Sequence, residues 1–301
     1  MKSHKLYCKS VFLLLCLSFL SHSLTAQRRF GIFAGGGFTW YNGDMNDRLI
    51  AHPSTIDNYW TAGLLYRATP RFHFSLSYAS GEVTSADSVA VQDFQRRRDL
   101  HFRTDIDQVS LHVNYRLLGY RGRETRRVTP YIIGGLTYFS YNPYAVVNGQ
   151  RIELQPLGTE GQYIENSNNP EPYELNRLAM PLGLGVEFKI SRSFAARVEL
   201  VNHFTFFDYF DDVSTDYADS ALLAATPTGA LAVAMASNLA NGYPRTGFNR
   251  GNENNNDTYM FLGATLLYTP GWGESGGGGR GPNGPARLRG KKRKSNCPAY
   301  H

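Results

Sequence analysis

From Met180 to Ile190 the apolar side chains fall on every second position. Met180, Leu182, Leu184, Val186, Phe188 and Ile190 alternate with Pro181, Gly183, Gly185, Glu187 and Lys189. After Ser191-Arg192-Ser193 the even positions are apolar again, at Phe194, Ala196, Val198, Leu200, Phe204 and Phe206, against Arg197, Glu199 and His203. A period of two over two runs joined by three residues predicts a β-hairpin with one apolar and one polar face. With Ile190 opposite Phe194, Glu187 faces Arg197 across the strands, which predicts a cross-strand ion pair. Each run has about the ten residues that a tilted strand needs to cross a bilayer. A soluble sandwich would show the same alternation, so the hairpin alone leaves both architectures open.

The rest of the chain separates them. Alternating runs recur at Arg28–Tyr41, Asn58–Arg67, Arg71–Glu82, Thr104–Leu118, Val128–Tyr141 and Tyr259–Thr269. Val128–Tyr141 is apolar or small on both faces, so its outward side is ambiguous. With the hairpin these make eight strands, and their connections alternate long and short. The short ones lie near residues 68–70, 119–127 and 191–193; the long ones near 42–57, 83–103, 142–178 and 208–257. This rhythm predicts an all-β fold, an eight-stranded antiparallel transmembrane β-barrel in an outer membrane, with long external loops and short periplasmic turns. Both termini then lie on the periplasmic side. A barrel of this size is filled by side chains, so Glu187, Lys189, Arg197, Glu199 and His203 are expected to form a packed polar plug in the lumen. Within the 208–257 insertion, the Ala/Leu-rich stretch Ser220–Asn241 is predicted to be partly helical, interrupted at Pro227 and Gly229.

Composition refines this picture at the ends of the chain. A mean hydropathy of −0.36 excludes a bundle of membrane helices but not a barrel, whose lumen and loops are polar. Lys2, Lys5 and Lys9 precede the apolar run Val11–Leu20, and a small-residue cut site follows before Gln27, so residues 1–26 read as a removed signal peptide. The barrel then occupies 27–270. Cys8 and Cys16 leave with the signal, and Cys297 alone cannot form an internal disulfide. The net charge of +6 belongs to the ends; residues 27–270 are net acidic. Residues 271–301 are Gly/Pro-rich and then basic, through Arg287, Arg289, Lys291, Lys292, Arg293 and Lys294, which predicts a disordered periplasmic tail. Behind a secretory signal such a tail meets acidic proteins, lipid head groups or peptidoglycan, and no nucleic acid.

Candidate chemistry is sparse. Asp208, Tyr209, Asp211 and Asp212 form an acidic motif where the seventh strand leaves the barrel, with Asp216 and Asp219 beyond. Hard oxygens suit Ca²⁺, but the spacing lacks a calcium-loop pattern. External rims are commonly acidic and solvated; the reading preferred here is that Asp208–Ser214 folds the long loop over the barrel mouth. Gly158–Gln162 lacks the strand–helix setting and lysine of a phosphate loop and reads as a turn. His203 has Thr205 and Tyr209 nearby in sequence but no serine constellation. No catalytic, cofactor or metal residues are assigned.

The order of several short motifs resembles the PorG-like family, outer-membrane barrels of the type IX (Por) secretion machinery of Bacteroidota. The matching pieces are Tyr41-Asn42-Gly43-Asp44 after a Gly-rich strand, Thr129-Pro130-Tyr131, Gly158-Thr159-Glu160-Gly161-Gln162, Phe206 to Ser214 (FFDYFDDVS), and the terminal Cys297-Pro298. The resemblance implies a non-enzymatic barrel that ties the periplasmic ring complex to the outer membrane and supports protein export. Its partners would be the ring lipoproteins and the outer-membrane lipids. The alternative is a stand-alone small barrel of the adhesin or opacity type, binding through its external loops; a barrel enzyme acting on lipid is a more distant reading.

Overall fold

A computed structural model of the chain describes residues 29–46, 52–118, 127–165, 169–237 and 242–270. The signal region, the basic tail with Cys297, and most of the 119–127 connection lie outside the described residues. Nine strands form among the described residues: β1 (Phe30–Asn42), β2 (Asp57–Arg67), β3 (Phe72–Ala86), β4 (His101–Arg116), β5 (Val128–Val147), β6 (Gln150–Glu153), β7 (Asn176–Lys189), β8 (Phe194–Phe204) and β9 (Thr258–Tyr268). All pairings are antiparallel between sequence neighbours, β7 joins β5, and β1 pairs with both β2 and β9. The sheet therefore closes into an eight-stranded barrel, with β6 a short hairpin partner of β5 at its edge.

Two features depart from the pattern-based reading. The expected charged loop 83–103 shrinks because β3 and β4 stay paired out to Ala86 and His101, with a short helix α1 (Asp93–Arg98) at the tip. The expected polar stretch 142–178 begins as the β5–β6 hairpin, turning at Asn148-Gly149, both with positive φ. Asn-Gly is a hairpin signal in its own right. In the 208–257 insertion, helices α2 (Ser220–Ala224) and α3 (Gly229–Ala236) flank Pro227. Asp219 caps α2, its carboxylate accepting from the Ala221 and Leu222 amides.

The apolar faces point outward. Leu178, Met180, Leu182, Leu184 and Phe188 are exposed on β7, whereas Ala179, Gly185 and Glu187 are buried. The ambiguous β5 resolves the same way, with Ile132, Leu136 and Tyr138 outside and Tyr131, Ile133, Phe139 and Tyr141 inside. Aromatic rings edge this belt. At the turn end they pair across strands as Phe30–Tyr66, Phe72–Tyr115 and Phe194–Tyr268; at the loop end Trp60 meets Tyr78. Ten steps from Leu178 to Phe188 at the usual rise and tilt make a belt about 25 Å tall. Above it the outward positions of β3–β6 turn polar. There Arg103 pairs with Glu82 at 3.3 Å and Arg151 with Asp105 at 2.5 Å.

Candidate functional site

The lumen is a polar stack in layers. Nearest the turn end, Arg116 donates to Glu187 at 2.9 Å, both fully enclosed. Above it Arg197 pairs with Glu199, and its Nε donates to the Tyr131 hydroxyl at 3.0 Å, which itself donates to Glu199 at 2.6 Å. Gly185 makes room for the Tyr131 ring, which a Cβ there would overlap. Higher still, His203 stacks on Tyr259 at 4.4 Å. Gln108 bridges the two, bonding the His203 Nε2 at 3.3 Å and accepting from the Tyr259 hydroxyl at 2.8 Å.

The five lumen residues expected from sequence are thus distributed along the barrel axis. Glu187 and Arg197 do face each other in register, yet the expected ion pair between them is not formed. Arg116 reaches Glu187 from β4, and Arg197 turns to Glu199 on its own strand. Lys189 also departs from the expected plug: it is half-buried at the turn end, near Arg67 and Arg192. The spaces left between the layers are small, about 30 Å³ beside His112 and His203 and about 10 Å³ beside His73 and Glu187. Thr205 and Tyr209 do not serve His203; their hydroxyls donate to the Asp257 carbonyl and to Glu160.

At the loop end the acidic motif is buried, not solvated. After Thr205 the chain turns inward through Phe206, at φ 60°. Phe210 then sits over the mouth at 0 % exposure, packed on Tyr41, Tyr141 and Tyr259. Around it the long loops are tied by enclosed charges. Glu160 accepts from the Ser214 and Thr215 amides, the Thr215 and Tyr209 hydroxyls, and Arg250 at 2.9 Å. Asp212 accepts from Thr159 at 2.5 Å, from Tyr173 at 2.7 Å and from Arg250 at 3.5 Å. A second pair, Arg98 to Asp87 at 2.7 and 2.8 Å, is bidentate, and Arg98 continues to the carbonyls of Arg250 and Asp44.

The Tyr41 hydroxyl lies 2.7 Å from Asp211 and 2.5 Å from Asp257. One phenol proton cannot serve two carboxylates, so this trio holds a further proton. Burial, the larger cause, and neighbouring carboxylates push both carboxyls well above the usual range, Asp257 and Asp44 acting on Asp211, and Asp208 and Asp44 on Asp257. Asp208 is pushed up to about 9 by burial and by Asp44 and Asp211. Asp212 rises only to about 6, because Arg250 opposes the effect of burial.

Three motifs distant in sequence therefore meet in one assembly: Tyr41–Asp44, Gly158–Gln162 and Phe206–Ser214. Gly43 is required there, since a Cβ would collide with the Asp257 carboxylate and the Tyr41 hydroxyl. The pattern-based reading missed Arg250 and Asp257 and gave Glu160 and Phe210 no role beyond their motifs, since these roles depend on loops packing together. A cavity of about 330 Å³ lies beside the plug, lined by Met45, Leu100, Ala145, Leu154, Met235 and Arg250. Among the described residues no group of three or more His, Cys, Asp or Glu is placed to hold a metal ion.

A closed eight-stranded barrel with an apolar aromatic-edged belt, a filled lumen and a loop plug has the fold of a small outer-membrane barrel. The chain belongs to the family described as a domain of unknown function, DUF6089, whose sequence profile matches residues 8–225. No curated protein matches it. Solved structures similar to it include Neisserial surface protein A, at 7 % identity and a TM-score of 0.39, over 80 % of this chain and 96 % of that one. The attachment invasion locus protein Ail of Yersinia pestis, bound to the heparin analogue sucrose octasulfate, follows at 10 % and 0.36, over 80 % and 98 %. A major outer membrane protein of Thermus thermophilus is 10 % identical at 0.35, over 79 % and 98 %.

Proposed function

We propose that this chain is a non-enzymatic outer-membrane barrel of a type IX secretion machinery, with both termini in the periplasm. In this reading it anchors the periplasmic ring complex to the membrane and supports protein export. The apolar belt supports the membrane location. The observation that carries the secretion role is the convergence of the three family-like motifs on one buried assembly. Short motifs that build a single structural unit are a stronger resemblance than the same motifs scattered over a surface. A filled lumen also suits an anchor better than a conduit.

Co-purification from crosslinked outer membranes tests this, comparing the full chain with one ending at Pro270. Recovery of ring lipoproteins with the full chain alone assigns the contact to the basic tail. Recovery with both assigns it to the periplasmic turns, chiefly 119–127. Recovery with neither, despite normal insertion, overturns the secretion role.

One observation favours a second reading, a stand-alone adhesin-like barrel. Phe94, Leu222 and Phe248 are exposed on the external loops, each more than half. Loss of surface binding on their replacement, with export intact, would select it.

A further inference from the structure

The two ends of the barrel differ sharply in charge. The loop end gathers buried carboxyls, among them Glu160, Asp208, Asp211, Asp212 and Asp257, with the half-buried Asp44 beside them. The turn end is cationic. Arg29 precedes β1, Arg71 sits in the β2–β3 turn, Arg127 precedes β5, and Arg192 sits in the β7–β8 turn. In barrel order these positions recur at roughly every second strand, so the four arginines ring the whole end. All four are exposed, and among the described residues none is in an ion pair. Inside the ring lie Arg116, which pairs with Glu187, Arg67, whose guanidinium donates to the Thr269 hydroxyl at 2.7 Å, and the half-buried Lys189.

The ring is rigidly mounted. The Arg71 carbonyl accepts from the Arg116 amide at 2.8 Å, and the Arg127 carbonyl accepts from the Lys189 amide at 2.7 Å. Around Arg192, Ser191 Oγ accepts from the Ser193 and Phe194 amides, at 3.3 and 3.1 Å. Backbone held in this way at Arg71, Arg127 and Arg192 loses little freedom on meeting a partner. The sequence adjoining this end is net basic, with Arg121, Arg123 and Arg126 against Glu124 and a basic 271–301 that holds one acid, Glu274.

We propose that the turn end of the barrel is a docking face for an acidic protein surface, seated on the ring of Arg29, Arg71, Arg127 and Arg192. Lipid phosphates meet such arginines one at a time from the side of the barrel, whereas the four lie together around its end. A flat acidic protein surface covers rim and mouth together, and charge complementarity of this kind sets encounter rate and orientation. The inference stands on the charge geometry of the barrel and holds whether or not the machinery is a type IX system.

The test uses the full chain in nanodiscs of zwitterionic phosphatidylcholine, with fluorescent poly-glutamate of about fifty residues as the probe. The variant Arg29→Ser/Arg71→Ser/Arg127→Ser/Arg192→Ser is compared with wild type and with a loop-side control, Arg96→Ser/Arg103→Ser/Arg151→Ser. Heat-dependent gel mobility verifies that each barrel is folded. Wild type and control should bind alike, and the ring variant about tenfold or more weaker, since four exposed pairs at a few tenths to 1 kcal/mol each sum to that order. The difference should shrink as salt rises from about 0.05 to 0.5 M. Equal binding by ring variant and wild type overturns the proposal and leaves the tail as the carrier. No poly-glutamate binding, with a ring-dependent rise in melting temperature only in phosphatidylglycerol nanodiscs, also overturns it, in favour of lipid anchoring.

Discussion

Arg250 is the side chain through which the loops of the barrel mouth meet. It touches Glu160 from the β6–β7 connection, Asp212 from the β8–β9 connection, and the Ala236 carbonyl at the end of α3. Glu160→Gln leaves its buried guanidinium with one carboxylate instead of two. Losing one charge-assisted partner of an enclosed cation costs about 1.5–3 kcal/mol. The loops should then be cut by protease far faster than in wild type while the barrel still migrates as folded; unchanged cleavage would mean the pair does not hold the plug. Protons act at the same scale. Asp208 titrates near 9 and Asp212 near 6 in the folded chain, against about 4 when unfolded. The folded loops bind more protons between those values, so their stability is greatest in acid and declines as pH rises from about 4 to about 9. Hydrogen-exchange protection of the Phe210–Ser214 amides, corrected for intrinsic rates, should be higher at pH 5 than at pH 8. Asp208→Asn should flatten the part of that decline above pH 6. Equal wild-type protection at both pH values would contradict the assignment.

At the scale of the strand, alternation was legible because the barrel places every second side chain in lipid or lumen, and a one-residue slip would invert the faces. The β7–β8 register, with Glu187 opposite Arg197, follows from the three-residue turn alone. The actual partner of Glu187 was not legible. Arg116 approaches from β4, which is not a neighbour of β7, and a period of two reports the face of a residue but not its reach across a barrel. The extension of β3, β4 and β5 past the belt was hidden for a related reason: with polar residues on their outer face, these segments look like loop. Leu184, 64 % exposed in mid-belt, gives the test. Leu184→Arg should impair folding into lipid vesicles by about 2–4 kcal/mol, read from the urea midpoint of the heat-modifiable band. Glu187→Ala should lower the midpoint comparably by stranding Arg116, whereas Leu184→Ala should do much less. An arginine at 184 folding like wild type would remove the belt from the membrane.

Across the whole molecule, the barrel is blocked at several levels, and this decides what it can transmit. Phe210 closes the mouth, His203, Gln108 and Tyr259 fill the next layer, and Arg197 with Glu199 and Arg116 with Glu187 fill those below. That the FFDYFDDVS segment folds over the mouth was readable in outline from its position after β8. Its burial was not, because an acidic run is normally a solvated one. Only the partners supplied by distant loops, Tyr41, Thr159, Tyr173 and Arg250, make enclosure tolerable. Two lumen spaces among the described residues, about 30 and 10 Å³, hold no more than a few waters and no hydrated ion, since a single water needs about 10–15 Å³. In planar bilayers the protein should therefore show no discrete conductance steps. Phe210→Ala should leave the bilayer silent too, while exposing the loops to protease, because the layers beneath it still seal the barrel. Ion-sized steps in wild type would mean that the polar layers move apart in the membrane. Steps appearing only with Phe210→Ala would make the loop plug the sole gate and assign the charged layers to stability alone.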